Sequence, residues 1–179
     1  INQDAYEVVR PRRQDPDVEG KGDILSLFLS RAETVAKDVD LTDEYLRDVV
    51  INFIIAGRDT TAQALSWSFY VMSTMPEIQQ AVREEVLRIT EPLPEHEKFS
   101  YDTIQQMKYT DAFLHEVLRL YPSVPKELKY AFEDSTLPDG THIPKGGCVV
   151  FFPYIMGRHP ALWEDPERFD PMRFYEQPK

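Results

Sequence analysis

Residues 42–75 read TDEYLRDVVINFIIAGRDTTAQALSWSFYVMSTM, and this stretch decides the fold. Thr42 followed by Asp43 and Glu44 is an N-cap with an acidic first turn, and Pro76 stops the run. At 1.5 Å rise per residue the segment predicts a helix of roughly 50 Å, enough to cross a whole domain. From Val49 to Gly57 only Asn52 is polar. A helix apolar on nearly every face is expected to be buried. Its centre, Ala56-Gly57-Arg58-Asp59-Thr60-Thr61, breaks that pattern. Glycine costs about 1 kcal/mol against alanine in a helix interior. A carboxylate at Asp59 is expensive in an apolar setting unless it is solvated or partnered. Local rules broken in the middle of a strong element point to a functional site.

Outward from this helix, the chain divides by composition. Residues 1–22 are polar, with Pro11 and Pro16, and are expected to form a loop or linker. Residues 23–120 form the helical part. Asp23 caps a short helix over 24–31, and 32–41 is a charged connection, helical in part. Pro76 opens an amphipathic helix over 77–89, with Ile78, Val82, Val86 and Ile89 on one face. Ser100 caps a short helix reaching 107, and 109–120 is another, ended by Tyr121-Pro122. Residues 121–179 change character and hold nine of the 14 prolines. Short strands are predicted over 128–131 and 148–152, an Asp139-Gly140 turn between them, and one helical turn over 160–163. Helices first and short strands after give a mainly α fold with a small β portion, an α+β piece forming a single partial domain around one long central helix.

The bulk numbers narrow the function. The 179 residues suit one domain or a piece of a larger one. A formal net charge of -11, from 31 acidic and 20 basic residues, argues against a broad nucleic-acid surface. No stretch reaches the ~20 apolar residues of a membrane span. The single cysteine, Cys148, excludes an intrachain disulfide and a cysteine zinc cluster, and points to a reducing setting. Its place in an apolar strand reads as a buried, inert thiol. The four histidines show no metal spacing, and no phosphate loop or nucleophile elbow is present. Ile1 and Lys179 read as cuts in a longer sequence.

Two constellations have competing readings. Thr60 lies one turn after Ala56, so its hydroxyl can bond the Ala56 carbonyl and open a groove beside Gly57. A small molecule would fit there, with Thr60 as donor and Asp59 as a proton route. The alternative is a closely packed helix with a surface aspartate. Glu116 and Arg119 stand three apart on one helix face among Phe113, Val117 and Leu120. They form either an ordinary solvated pair or a buried one that needs further partners, for which Arg168 is the candidate. Asp111 lies one turn before His115, a pair that reads as helical surface.

Ala56-Gly57-Arg58-Asp59-Thr60-Thr61, then Glu116-x-x-Arg119, then Pro166-Glu167-Arg168-Phe169, in this order, resembles the haem-thiolate monooxygenases of the cytochrome P-450 family. The resemblance covers nearly the whole chain from about Ile24. The wording of 52–62 and of Leu118–Pro125 is similar to the eukaryotic fatty-acid ω-hydroxylase branch. The resemblance implies a C-terminal-half fragment of that fold, with the long helix crossing the distal face of a haem b. Ala56 and Gly57 would flank the dioxygen site. Thr60 would donate to bound dioxygen and Asp59 would relay protons. Glu116, Arg119 and Arg168 would form a buried structural triad. Lys129 would reach a haem propionate where arginine is more usual, as a point-charge contact. Val124, Pro125 and Lys126 would line the channel of a hydrophobic substrate.

The family's proximal cysteine loop would lie beyond Lys179, so the chain itself holds no iron ligand and is expected to be inactive alone. Electrons would come from NADPH through a reductase. Membrane attachment would come only through an absent N-terminal anchor, on the cytosolic face of the endoplasmic reticulum. A non-enzymatic helical interaction module using the acidic face of 77–91 is the competing class. A hydrolase built on Asp59, Glu116 and a histidine is a third and poorer one.

Overall fold

The computed structural model describes residues 2–15, 17–18, 20–30 and 41–175, in two compact units divided after Asp59. The connection expected over 32–41 lies, up to residue 40, outside the described residues. The described chain is mostly helical, with two small antiparallel sheets.

In the first unit, helix α1 spans Asn2–Arg13, where a polar loop was expected. Ala5 and Val9, one turn apart, are its buried face, and Pro11 falls in the last turn, where its missing N–H costs a single ladder bond. Val9 packs with Leu25 and Leu46, flanked by Leu29, Leu41 and Val50. Helix α2 spans Ile24–Ser30. Asp23 caps it, accepting from the Ser26 amide at 3.0 Å and the Ser26 hydroxyl at 2.8 Å, and pairs with Arg12. These bonds hold the Asp23 carboxyl down to about 2, the Ser26 amide contributing most. Thr42 caps the long helix α3, Asp43–Thr74, through the Tyr45 amide at 3.1 Å.

Residues 52–59 of α3 are exposed, Ile55 by 60%. The burial expected on nearly every face is therefore not met by the described residues. The hydrophobic pattern was sound as a helix signal and exceeded what this chain covers.

In the second unit, helix α4 spans Pro76–Thr90 with proline in its first turn. Helix α5 is shorter than expected, Tyr101–Ile104, with Ser100 as its cap. Helix α6 spans Lys108–Leu120. Val71, Ile78, Phe113 and Val117 form the core, with Phe169 edge-on to Phe113 at 5.9 Å. Met107, the N-cap of α6, supplies no side-chain bond. The buried Glu85 of α4 replaces it, accepting from the amides of Tyr109 and Thr110 and from the Thr110 hydroxyl, each at 2.8 Å. A carboxylate there meets the orphan amides and the positive end of the helix dipole. Burial and the nearby carboxylates of Asp170, Glu77 and Glu85 push the Tyr109 phenol up.

Strand β1, Glu127–Tyr130, pairs antiparallel with β4, Cys148–Phe151, with Lys129 opposite Val149 and Tyr130 opposite Cys148. Strands β2, Ser135–Thr136, and β3, His142–Ile143, close the predicted turn, where Gly140 takes φ +88°. Cys148 is exposed, contrary to the buried thiol expected, because a two-stranded ribbon leaves it uncovered. Residues 160–163 make one turn of helical bonding without extending into a helix, the His159 carbonyl accepting from the amides of Leu162 and Trp163. Short helices α7, Pro153–Met156, and α8, Met172–Tyr175, flank that turn.

Candidate functional site

The strongest polar assembly is buried on α6. Glu116 is fully buried and Arg119 nearly so. The helical i,i+3 spacing brings them together as a two-pronged pair, Arg119 Nε to Glu116 Oε2 at 2.6 Å and Nη2 to Oε1 at 2.8 Å. This is the buried alternative, and it carries the extra partners such a pair requires. Arg119 also donates to the carbonyls of Gly157, Pro166 (2.7 Å) and Arg168 (3.1 Å). The Trp163 ring lies 5.1 Å from its guanidinium carbon. The Asp170 amide donates to Glu116 Oε1 at 2.7 Å. One residue pair thus gathers the irregular segment 157–170, which has no ladder of its own to satisfy its backbone.

The third cation is not Arg168. Its side chain is 69% exposed and, among the described residues, pairs with Asp170 at 3.8 Å. Its backbone carbonyl, not its guanidinium, meets Arg119. Arg173 fills the place, with Nε 3.4 Å from Glu116 Oε1 and Nη2 donating to the Asp165 carbonyl at 2.8 Å. The sequence signal was available in Phe169-Asp170-Pro171-Met172-Arg173-Phe174, a second Pro-x-Arg-Phe run after Pro166-Glu167-Arg168-Phe169. Gly157 was also missed. A Cβ there would run into the Arg119 carbonyl, so only glycine lets the two backbones approach.

On α3, Ala56, Gly57 and Asp59 are exposed, and a Cβ built on Gly57 meets nothing within 4 Å. Asp59 lies 3.9 Å from Arg58, both largely exposed. Thr60 is half-buried, and its carbonyl accepts from the Ser123 hydroxyl at 2.9 Å. Ser123 was not singled out from sequence, since a serine between two prolines carries no periodic signal. Val124, Pro125 and Lys126 follow it and are exposed. Lys129 is 74% exposed and pairs with Glu127 at 2.5 Å. His115 Nδ1 lies 2.8 Å from the Asp111 carbonyl. Among the described residues no cluster of three or more histidine, cysteine or acidic side chains could hold a metal ion. No described helix is long and apolar enough to cross a membrane.

All 179 residues match the family model described as Cytochrome P450. The chain is 39% identical over 184 residues to Cytochrome P450 CYP94D109 of Paris polyphylla, covering 98% of this chain and 35% of that protein. It is 41% identical over 148 residues to Cytochrome P450 4A10 of Rattus norvegicus, covering 83% of this chain and 28% of that one. A solved structure described as retinoic acid bound cyanobacterial CYP120A1 superimposes with a TM-score of 0.77 at 28% identity, over 97% of this chain and 38% of its own. The cytochrome P450DA heme domain gives the same TM-score at 31% identity, over 97% and 37%. The chain spans about a third of the length of the curated relatives it matches.

Proposed function

This chain belongs to the cytochrome P450 family, and from that premise we propose that it is the part of a haem-dependent monooxygenase carrying the oxygen-side helix and the buried Glu116–Arg119 anchor. The complete protein would catalyse R–H + O2 + 2e⁻ + 2H⁺ → R–OH + H2O, with electrons from NADPH through a reductase. A haem bound in the complete protein would supply the oxygen-activating chemistry. The residues present fit such a group. The Ala56-Gly57 step offers bare backbone with open space beside it, in a helix whose exposed Phe53, Ile54 and Ile55 give it an apolar approach. That open step is the observation that carries the reading.

The roles follow from chemistry. Ala56 and Gly57 would hold the group, leaving the helix backbone open beside it. Thr60 holds a hydroxyl donor at a fixed height. A preorganised donor favours negative charge that develops beside it. Asp59, solvated and adjacent to Arg58, accepts protons from water and passes them inward. Lys129 has an exposed ammonium that can leave Glu127 for a propionate. Val124, Pro125 and Lys126 line the substrate channel. We assign the substrate to the lipid class, a fatty acid above all, on the wording of 52–62 and 118–125. We assign the protein to the cytosolic face of the endoplasmic reticulum membrane.

The chain alone should not give a thiolate-haem spectrum, because Cys148 is its only thiol and sits on β4. Reduced protein with added haem and carbon monoxide tests this. A Soret band typical of haem-thiolate, lost on Cys148→Ala, would sink it. The longer protein should give that band and should hydroxylate a fatty acid. The band without fatty-acid turnover would retain the monooxygenase and remove the substrate assignment.

A further inference from the structure

Ser123 lies outside the motifs that define the site, yet it is fastened to the residue at its centre. Its hydroxyl donates to the Thr60 carbonyl at 2.9 Å. Two residues earlier, Tyr121 stacks flat on Trp67, ring centroids 4.3 Å apart and planes within 8°. Thr60 and Trp67 are seven residues apart, about two turns, so they share one face of α3. The segment after α6 is therefore held at two points on that face, about 10 Å apart along the axis. Its direction opposes that of the helix.

The local chain is stiff enough to transmit this. Pro122 and Pro125 fix two φ angles around Ser123 and contribute no N–H. The next residue is Val124, 48% exposed, the first residue given above to the substrate channel. On the helix side, a carbonyl has two lone pairs and can take a second donor beside its helical one. A second donor fixes the tilt of that peptide, and with it the backbone that aims the Thr60 side chain.

We propose that Ser123 is a positioning residue, locking the Thr60 peptide to the substrate-facing segment Val124–Lys126 so that donor and substrate keep one relative placement. This rests on the roles proposed above for Thr60 and that segment.

The test uses the longer protein with Ser123→Ala, Ser123→Thr and Thr60→Ala, read in two ways. Amide hydrogen exchange at Ala64, the helical donor to the Thr60 carbonyl, reports the tether. The share of consumed electrons released as hydrogen peroxide reports the placement. Ser123→Ala should speed exchange at that amide by about fivefold, the factor one net hydrogen bond carries. It should raise the peroxide share severalfold, with haem content unchanged. Ser123→Thr, which keeps the hydroxyl, should restore both. Unchanged exchange in Ser123→Ala overturns the tether. Faster exchange with an unchanged peroxide share overturns the positioning role. If Thr60→Ala raises peroxide and Ser123→Ala does not, Ser123 alone was misread. If neither does, the reading of Thr60 is the one that fails.

Discussion

Gly157 and Arg119 meet twice, the Gly157 carbonyl accepting from Arg119 Nη1 and the Gly157 Cα resting against the Arg119 carbonyl. The second contact leaves no room for a methyl group. Gly157→Ala should therefore destabilise the longer protein by about 3 kcal/mol, the upper range for overpacking, because the obstacle is backbone and cannot rotate away. Urea unfolding measures it. A cost near zero would mean that α7 and α6 slide apart freely.

Arg173 and Arg168 should separate cleanly. Arg173→Ala removes a cation beside a fully buried carboxylate and should cost about 2 kcal/mol. Arg168→Ala should change stability by no more than about 0.5 kcal/mol, as at other exposed sites. Arg119→Ala should cost about 3–5 kcal/mol, since it takes the two-pronged partner from buried Glu116 and leaves three carbonyls without their donor. Equal effects of the Arg168 and Arg173 changes would refute the placement.

Asp23 makes the first unit acid-sensitive. Its carboxyl, held down by the Ser26 amide above all, sits at about 2, below the ordinary aspartate value of 3.8. A depressed carboxyl contributes stability that is present above the unfolded value and lost as pH falls from about 4 toward 2. Asp23→Asn keeps a capping oxygen without the charge, so the difference in melting temperature between the two proteins should shrink over that window. NMR titration of the Asp23 carboxyl should give a midpoint near 2. A midpoint at the ordinary aspartate value would remove the prediction.

Thr60 and Asp59 should fail differently. Thr60→Ala should keep substrate and haem binding while peroxide release rises against product. Removal of a preorganised donor of this kind costs ~10²–10³ in rate where it supports the chemical step. Asp59→Asn should slow turnover, because it weakens proton delivery more than it changes the donor. Thr61, about 100° round the helix, should matter less. Electrons consumed, peroxide and product decide among the three; a coupled Thr60→Ala beside an uncoupled Thr61→Ala would reverse the assignment.

What was legible followed local rules. The caps at Asp23, Thr42 and Ser100 are chemical punctuation, and the structure uses each of them. The pairing of Glu116 with Arg119 was legible as helical spacing, whereas its burial was not, since burial depends on the segment 157–170 folding over it. Arg168 misled because motif order names a neighbourhood and not which guanidinium turns inward. Arg173 lies in α8, beyond the second proline of the pair of Pro-x-Arg-Phe runs. The helix α1 hid behind its charges and Pro11, and only two buried residues, Ala5 and Val9, carry its packing. Cys148 and the centre of α3 looked buried because hydrophobicity records what a sequence is suited to meet, and the described chain does not supply all of it.

Glu85 reaches across 24 and 25 residues to begin α6. That geometry sets an order of assembly. A helix whose first amides are capped from within can nucleate alone, whereas α6 gains its cap only after the intervening loop has closed. Docking of α4 and initiation of α6 are therefore expected to form one kinetic event. Glu85→Gln, which leaves one accepting oxygen and turns an amide donor toward the other N–H, should slow refolding of this pair more than it speeds unfolding, the mark of a contact formed in the transition state.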